Sequence, residues 1–252
     1  MSIQIYSLEA AFEDLSQAVL PATLQTWHGN HVELPGEGTH FGFVYHGHPN
    51  LVRVSEDYRL HPGMYFCLPG SGQIGGADSS GLVITNYNYR GMFSLGGAIE
   101  PVGQFAYIDG GTSSVLIPPV RLGDPCLNAI YFPPHRDQTL HTHPSYRIGL
   151  VVAGSGEAET PFGITLLQPG MIFVIPTNSL HKFRTTDQPL SFVVFHPDSD
   201  AGLTHQNNPV LNRTMVKGIS AAQIPEIQTS TQTPTTIHHL KDLAADFWPE
   251  AD

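Results

Sequence analysis

The chain has 252 residues, of which 40% are apolar and only 13% are charged, with 25 glycines and 21 prolines. This length can bury a sizeable core, and the formal net charge of −11 argues against binding a nucleic acid or an anionic membrane through bulk charge. The two cysteines, Cys67 and Cys126, form no Cys-x-x-Cys motif, which argues against a disulfide scaffold.

The first element predicted is a short N-terminal helix. Ser7 can cap it, Pro21 ends it, and apolar residues recur between them at helical spacing: Leu8, Phe12, Leu15 and Val19. The preceding residues show neither a basic region nor an apolar run, and no stretch of the chain is long enough to span a bilayer. We therefore expect a soluble, cytoplasmic protein.

Short strands are predicted from Leu24 to about Phe195, separated by Gly, Pro, Asn and Asp. Typical members are Phe41 to Tyr45, Met64 to Leu68, Leu127 to Phe132, Met171 to Ile175 and Phe192 to Phe195. This pattern predicts an all-β protein. Cys67 falls inside one of these strands and is expected in the core, whereas His196, next to Pro197 at a strand end, is expected in a turn or at the surface.

A repeat with an offset of 107 residues relates two parts of this region. The offset places Gly42, Val44 and Gly47 on Gly149, Val151 and Gly154. It also places Pro62-Gly63-Met64, Phe66 and Pro69 on Pro169-Gly170-Met171, Phe173 and Pro176. The matches concentrate in turns, where backbone geometry restricts the residue, and they predict two copies of one β-module.

The character of the sequence changes beyond residue 200. Gln228 to Thr236 is polar and without an apolar period, which predicts a linker or a loosely packed arm. Ile237 to Phe247 is predicted as a short helix. This tail is too short and too poor in basic residues for a helix-turn-helix DNA-binding domain.

Three histidines form the most informative pattern. His141 and His143 are two residues apart, so on a strand they would point to the same side. His181 follows Pro176 after a short turn and could complete a three-nitrogen group suited to Fe, Ni, Cu, Mn or Zn.

These residues resemble the two-part signature of the cupin superfamily, whose motifs are followed here by His141-x-His143, Gly154, Gly163, Pro169-Gly170, Pro176 and His181. The resemblance covers residues 135–185 well and residues 35–75 weakly. It implies a bicupin: two tandem double-stranded β-helix (jelly-roll) barrels with a short N-terminal helix and an extended C-terminal arm. The implied domains are residues 1–120, 121–200 and 201–252.

The resemblance also implies a metal site, with one departure. The usual fourth ligand of cupins is Glu, and here Arg147, or Ile148 in the other register, stands at that position. The implied site therefore has three histidine ligands, as in some cupin dioxygenases, with Fe(II) favoured and Zn, Ni, Cu or Mn as alternatives. Arg147 could pair with an anionic substrate, although a structural arginine paired with a buried carboxylate is the competing interpretation.

The repeat places Leu34, Gly36 and Ile74 where the second module has its histidines, so the first module is expected to hold no metal. Three functions remain open: a metal-dependent dioxygenase or isomerase with no catalytic residue assigned, a non-catalytic binder of a sugar-like small molecule, and a structural protein. The binder is suggested by a similarity to the sensor barrels of AraC-type regulators. A homodimer is also expected.

Overall fold

The computed structural model describes residues 3–229, and its regular secondary structure is almost entirely antiparallel strands. The first half contains β1 (Gln4–Ser7), β2 (Phe12–Leu15), β3 (Ala22–His28), β4 (His31–Leu34), β5 (Thr39–His46), β6 (Asn50–Arg53), β7 (Glu56–Arg59), β8 (Tyr65–Pro69), β9 (Gly72–Gly75), β10 (Ser80–Asn86) and β11 (Ser94–Gly96). The second half contains β12 (Phe105–Ala106), β13 (Thr112–Ile117), β14 (Cys126–Phe132), β15 (Arg147–Gly154), β16 (Gly156–Thr160), β17 (Gly163–Leu167), β18 (Met171–Ile175), β19 (Lys182–Arg184) and β20 (Leu190–His196). The all-β prediction is confirmed.

These strands form two modules, each with one large and one small sheet. The first module has a large sheet in the order β11-β8-β5-β10-β3-β2 and a small sheet in the order β4-β9-β6-β7. The second has a large sheet in the order β1-β18-β15-β20-β14-β13-β12 and a small sheet in the order β17-β16-β19. Strands related by the 107-residue repeat, such as β5 and β15 or β8 and β18, occupy the same places in the two large sheets.

The two large sheets pack against each other through a shared core. Phe41 of the first module and Phe195 of the second have ring centroids 5.0 Å apart in this core. Alternation along β14 shows how one strand serves two cores: Leu127 and Ala129 lie in the shared core, whereas Ile130 faces the interior of the second module. Each module thus has its own apolar interior, between its large and small sheets.

The predicted N-terminal helix is wrong. Residues 4–7 form β1, which pairs with β18 of the second module, and residues 12–15 form β2, which pairs with β3 of the first. The helical spacing would need Phe12 and Val19 on one buried face, but their exposures are 62% and 96%. Edge pairing with both large sheets satisfies this segment's backbone, and it outweighs a weak helical pattern.

A second compact unit begins at Leu203, directly after Gly202. Its described part contains α1 (Pro209–Arg213), a small hairpin of β21 (Met215–Val216) and β22 (Ile219–Ser220), and two short 3-10 turns. The predicted helix from Ile237 to Phe247, and the predicted linker from residue 230 onward, lie outside the described residues. No helix in the described part of the chain is long and apolar enough to cross a membrane.

The repeated glycines are explained by close packing. Gly42 pairs with Phe66 in the first module, and Gly149 pairs with Phe173 in the second. A Cβ atom at either glycine would lie 2.1 Å from the ring of its partner phenylalanine. Each glycine therefore leaves room for a large aromatic side chain to cross the neighbouring strand.

We predict that Gly149→Ala lowers the free energy of unfolding by about 1–3 kcal/mol, because the buried Phe173 ring must move to admit the new methyl group. Chemical denaturation measures this change, and Phe173→Leu in the same chain should recover part of it. Gly36→Ala is the control, since a Cβ there meets nothing within 4 Å. Equal destabilisation by the two alanine variants would contradict this account of the repeat.

Candidate functional site

His141, His143 and His181 come together in the second module, and their ligand nitrogens all lie within 4.8 Å of one another. The ring centroids are 4.6 Å apart for His141 and His181 and 5.0–5.1 Å apart for the other two pairs. His181 is fully buried, whereas His141 and His143 are half-buried. Within residues 3–229 this is the one group of three or more His, Cys, Asp or Glu side chains placed to hold a metal ion.

The local structure differs from the predicted strand. Residues 142–146 precede β15, which begins only at Arg147, so alternation along one strand does not align His141 and His143. Instead, His141 and His181 form an isolated backbone bridge, with N–H···O distances of 2.9 and 3.0 Å. The carbonyl of His143 accepts a hydrogen bond of 2.8 Å from Asn178 N, in the turn before His181. Backbone pairing between two loops therefore brings the histidines together.

Hydrogen bonds to the backbone fix two of the imidazoles. Nδ1 of His141 lies 2.8 Å from the carbonyl oxygen of Thr139, and Nδ1 of His181 lies 2.8 Å from that of Ser179. A carbonyl can only accept, so each Nδ1 carries a hydrogen, and in a neutral ring with this tautomer Nε2 is the nitrogen with the free lone pair. The loop before His141 is held in turn by Asp109, whose carboxylate accepts from the Thr139 N–H at 2.7 Å.

The three-histidine group contains a buried nitrogen whose bonding is unsatisfied, and a metal ion would satisfy it. Nε2 of His181 is buried and has no hydrogen-bond partner among the described residues. Burial lowers the pKa of His181 to about 4, and burial together with the Arg147 charge lowers that of His143 to about 3. Both imidazoles are therefore neutral near pH 7, the form in which they coordinate metals.

A small cavity of about 60 Å³ adjoins this group. Its apolar wall comes from the interior of the second module: Ile130, Phe173, Ile175, Phe183, Phe192 and Val194. Its polar lining includes Tyr107, Gln138, Arg147 and His196 besides His141 and His143. The arrangement is a mostly apolar pocket with a polar end, as small-molecule sites commonly have.

Three of these polar residues were not predicted. Tyr107 receives a hydrogen bond from the buried Gln138 side chain, and burial raises the Tyr107 pKa. His196 faces the cavity, so its predicted place in a turn or at the surface is wrong. The signal for His196 was available, because it continues the inward alternation of Phe192 and Val194 along β20. Burial lowers the His196 pKa far below its usual value.

Arg147 is a buried residue with both bound and free donors. Its Nη1 donates to the Ser145 and Tyr146 carbonyl oxygens at 3.2 and 2.9 Å and to Ser145 Oγ at 2.6 Å. Asp198 lies 3.9 Å from the same nitrogen, at the limit of an ion pair. Nε of Arg147 is buried without a partner among the described residues. Nη1 thus supports the local backbone, but the expected pairing with a buried carboxylate is not seen, because Asp198 is 36% exposed.

The first module fills the corresponding space with apolar side chains. Leu34 and Ile74 are buried in its interior, together with Trp27, Leu51 and Leu60. That the first module holds no metal stays a prediction. Cys67 is buried, as expected, and burial raises its pKa to about 12.

Comparisons with known proteins agree with this fold. A family model for the AraC-like ligand binding domain matches residues 124–233, and no curated protein gave a match. Among solved structures, protein Ylba from E. coli is 16% identical with a TM-score of 0.61, covering 81% of this chain and 93% of that one. A cupin 2 conserved barrel protein from Leptotrichia buccalis is 12% identical with a TM-score of 0.55, covering 77% and 88%.

A third similar structure is an enzyme with a bound ligand. It is a salicylate 1,2-dioxygenase variant from Pseudoaminobacter salicylatoxidans in complex with gentisate, 11% identical with a TM-score of 0.54, covering 77% of this chain and 82% of that one. At these identities the likeness defines the fold alone. The chain has the cupin fold, which is the fold that the resemblance found in its sequence implied.

The imidazole hydrogens give a direct test of the site. We predict that ¹⁵N spectra of the metal-free protein show Nδ1 protonated and Nε2 unprotonated in His141 and His181, assigned by the variants H141Q and H181Q. His40 is an internal control with the opposite tautomer, because its Nε2 lies 3.0 Å from the carbonyl oxygens of both Pro35 and Gly70. Protonated Nε2 atoms in His141 and His181 would contradict the geometry.

Proposed function

We propose that the second module binds one divalent metal ion through Nε2 of His141, His143 and His181, and that the protein is a metal-dependent enzyme of the dioxygenase type. The observation that carries the proposal is the buried, unpartnered Nε2 of His181 in a group of three imidazoles, of which burial keeps His143 and His181 neutral. Three protein nitrogens leave coordination positions open, as in catalytic metal sites. Solved dioxygenases with a similar fold support the same reading.

Fe(II) is the metal we favour, with Zn, Ni, Cu or Mn as alternatives that a three-imidazole site also accepts. Such an ion would supply Lewis-acid or O₂ chemistry when bound. The residues of the chain then have separate tasks. The apolar wall around Phe173, Phe183 and Phe192 excludes water, and Tyr107 with Gln138 offers hydrogen-bonding groups beside the histidines.

We further propose an anionic substrate. The support is Arg147, whose Nε lacks a partner and whose side chain lines the cavity that the histidines also line. A carboxylate or enolate oxygen can accept from this nitrogen, and a three-histidine group adds no competing negative charge. A homodimer and a cytoplasmic location stay predictions from the sequence.

We predict that His143→Ala and His181→Ala each weaken metal binding at least about 100-fold, because two neutral ligands hold a divalent ion poorly. Titration of metal-stripped protein with Fe(II) or Co(II), followed by calorimetry and absorbance, measures the loss. His48→Ala is the matched control, since His48 lies in the first module, outside the three-histidine group. Undiminished binding by His181→Ala would exclude the proposed site.

O₂ consumption tests the reaction class. Protein reconstituted anaerobically with Fe(II) should consume O₂ with a member of a panel that contains hydroxylated aromatic acids, diketones and thiols. His143→Ala should lose this consumption while keeping its folded structure by circular dichroism. No turnover with any metal and any panel member would overturn the enzymatic proposal.

A second candidate function is ligand binding without catalysis. It is favoured by the match of residues 124–233 to the AraC-like ligand binding domain. Elemental analysis separates the two candidates. Under about 0.2 equivalents of metal after reconstitution, together with calorimetric binding of a sugar-like ligand, would support the binder and oppose the enzyme.

A further inference from the structure

We infer that the organic part of the ligand binds in an outer cavity beside the histidine cavity, and that this outer cavity selects monocarboxylates through Arg147 and Asp198. This inference extends the proposed function to the ligand class. It depends on the proposed function only in assuming that a metal ion binds at the histidines. The outer cavity has a volume of about 450 Å³ and is lined by residues of β13, β14 and β20 and by the segment from Asp198 to Ala201.

The volumes of the inner and outer cavities indicate which of them can hold the organic part of a ligand. Small-molecule pockets in proteins hold about 300–1,000 Å³, whereas a single water molecule occupies about 30 Å³. The inner cavity of about 60 Å³ falls far below this range, and the outer cavity of about 450 Å³ falls within it and accommodates an organic acid. Arg147 and His196 line both cavities and so lie at their boundary.

The charges around the outer cavity define the ligand class. Arg147 has 9% of its side chain exposed, and its Nε lacks a partner among the described residues, which favours an acidic ligand group. Asp198 and Asp200 also line the cavity, so its lining carries two carboxylates and one guanidinium, of which only Asp198 lies near Arg147 among the described ion pairs. These carboxylates repel a ligand with two negative charges more strongly than a ligand with one, and a single carboxylate can still accept from the unpartnered Nε of Arg147. Val115, Pro119 and Pro144 offer apolar contact to the rest of the molecule.

Asp198 is the residue that competes with this ligand. Its Oδ1 accepts a hydrogen bond from Ser145 Oγ and lies 3.9 Å from Arg147 Nη1, and its side chain is 36% exposed. This weak, half-exposed pairing holds Asp198 near the guanidinium without occupying Nε. A ligand carboxylate is therefore attracted by Arg147 and repelled by Asp198. The charge of Asp198 lowers the affinity of the cavity for anions.

Benzoate and its uncharged amide, benzamide, are the probes for this inference. We expect Asp198→Asn to tighten benzoate binding about three- to tenfold, because the amide keeps a hydrogen-bond acceptor for Ser145 and removes the competing charge. Asp200→Asn is the matched control: it removes the same charge from the same cavity, and no ion pair joins Asp200 to Arg147 among the described residues. We expect it to change benzoate affinity less than twofold, and neither variant to change benzamide affinity.

Calorimetry gives the affinities, and methyl NMR gives the place of binding. Benzoate should shift the Val115 and Ala201 methyl signals of the outer cavity more than the Ile130 and Val194 signals of the inner one. Equal effects of the Asp198 and Asp200 variants, shifts confined to the inner cavity, or no benzoate binding by wild type and Asp198→Asn would each overturn the inference.

A metal-free measurement separates this inference from the proposed function. His143→Ala should bind benzoate within about twofold of the wild-type affinity, because the outer cavity does not use the histidine group. If the wild-type protein binds benzoate selectively but binds no metal and consumes no O₂, the enzymatic proposal is wrong and the monocarboxylate site is supported. If the protein consumes O₂ but Asp198→Asn does not change benzoate binding, the enzymatic proposal is supported and the monocarboxylate site is wrong.

Discussion

The packing of the two large sheets against each other is the constraint on which the rest of the structure depends. Each large sheet gives one face to the shared core around Phe41 and Phe195, so its other face must close its own module. Because side chains alternate along a strand, burying Phe195 in the shared core turns Val194 and His196 toward the cavity. A one-residue change in the register of β20 would reverse these directions and remove His196 from the site.

The histidine group has a different origin, since neither His141 nor His181 belongs to a regular strand. Two backbone hydrogen bonds join these residues, and the carbonyls of Thr139 and Ser179 fix their rings. The same bonds therefore satisfy loop backbone groups and leave both Nε2 atoms free. Bridging the two loops also couples the two histidines, because a displacement of one moves the backbone of the other. Such a site is prearranged rather than assembled from mobile side chains.

Much of the fold could be predicted from the sequence, because the repeat preserves packing constraints. Gly42 and Gly149 recur because each must leave room for the phenylalanine opposite it, and this requirement survives where other residues differ. The N-terminal helix was wrong because β1 and β2 are determined by distant strand edges, which local spacing does not reveal. For the same reason the three histidines could be found from their motif, whereas Tyr107 and Gln138 could not: both enter the cavity from segments outside any motif.

Position 147 shows how one place in the repeat can combine support and recognition. The offset of 107 relates Arg147 to His40, and both side chains are buried at the start of equivalent strands. His40 uses both ring nitrogens within its module, bonding Thr85 and the carbonyls of Pro35 and Gly70. Arg147 likewise bonds two carbonyls, but a guanidinium has five donor hydrogens, and one nitrogen suffices for these contacts. An arginine at this position therefore keeps the support that the position gives the backbone and leaves a cation with spare donors beside both cavities.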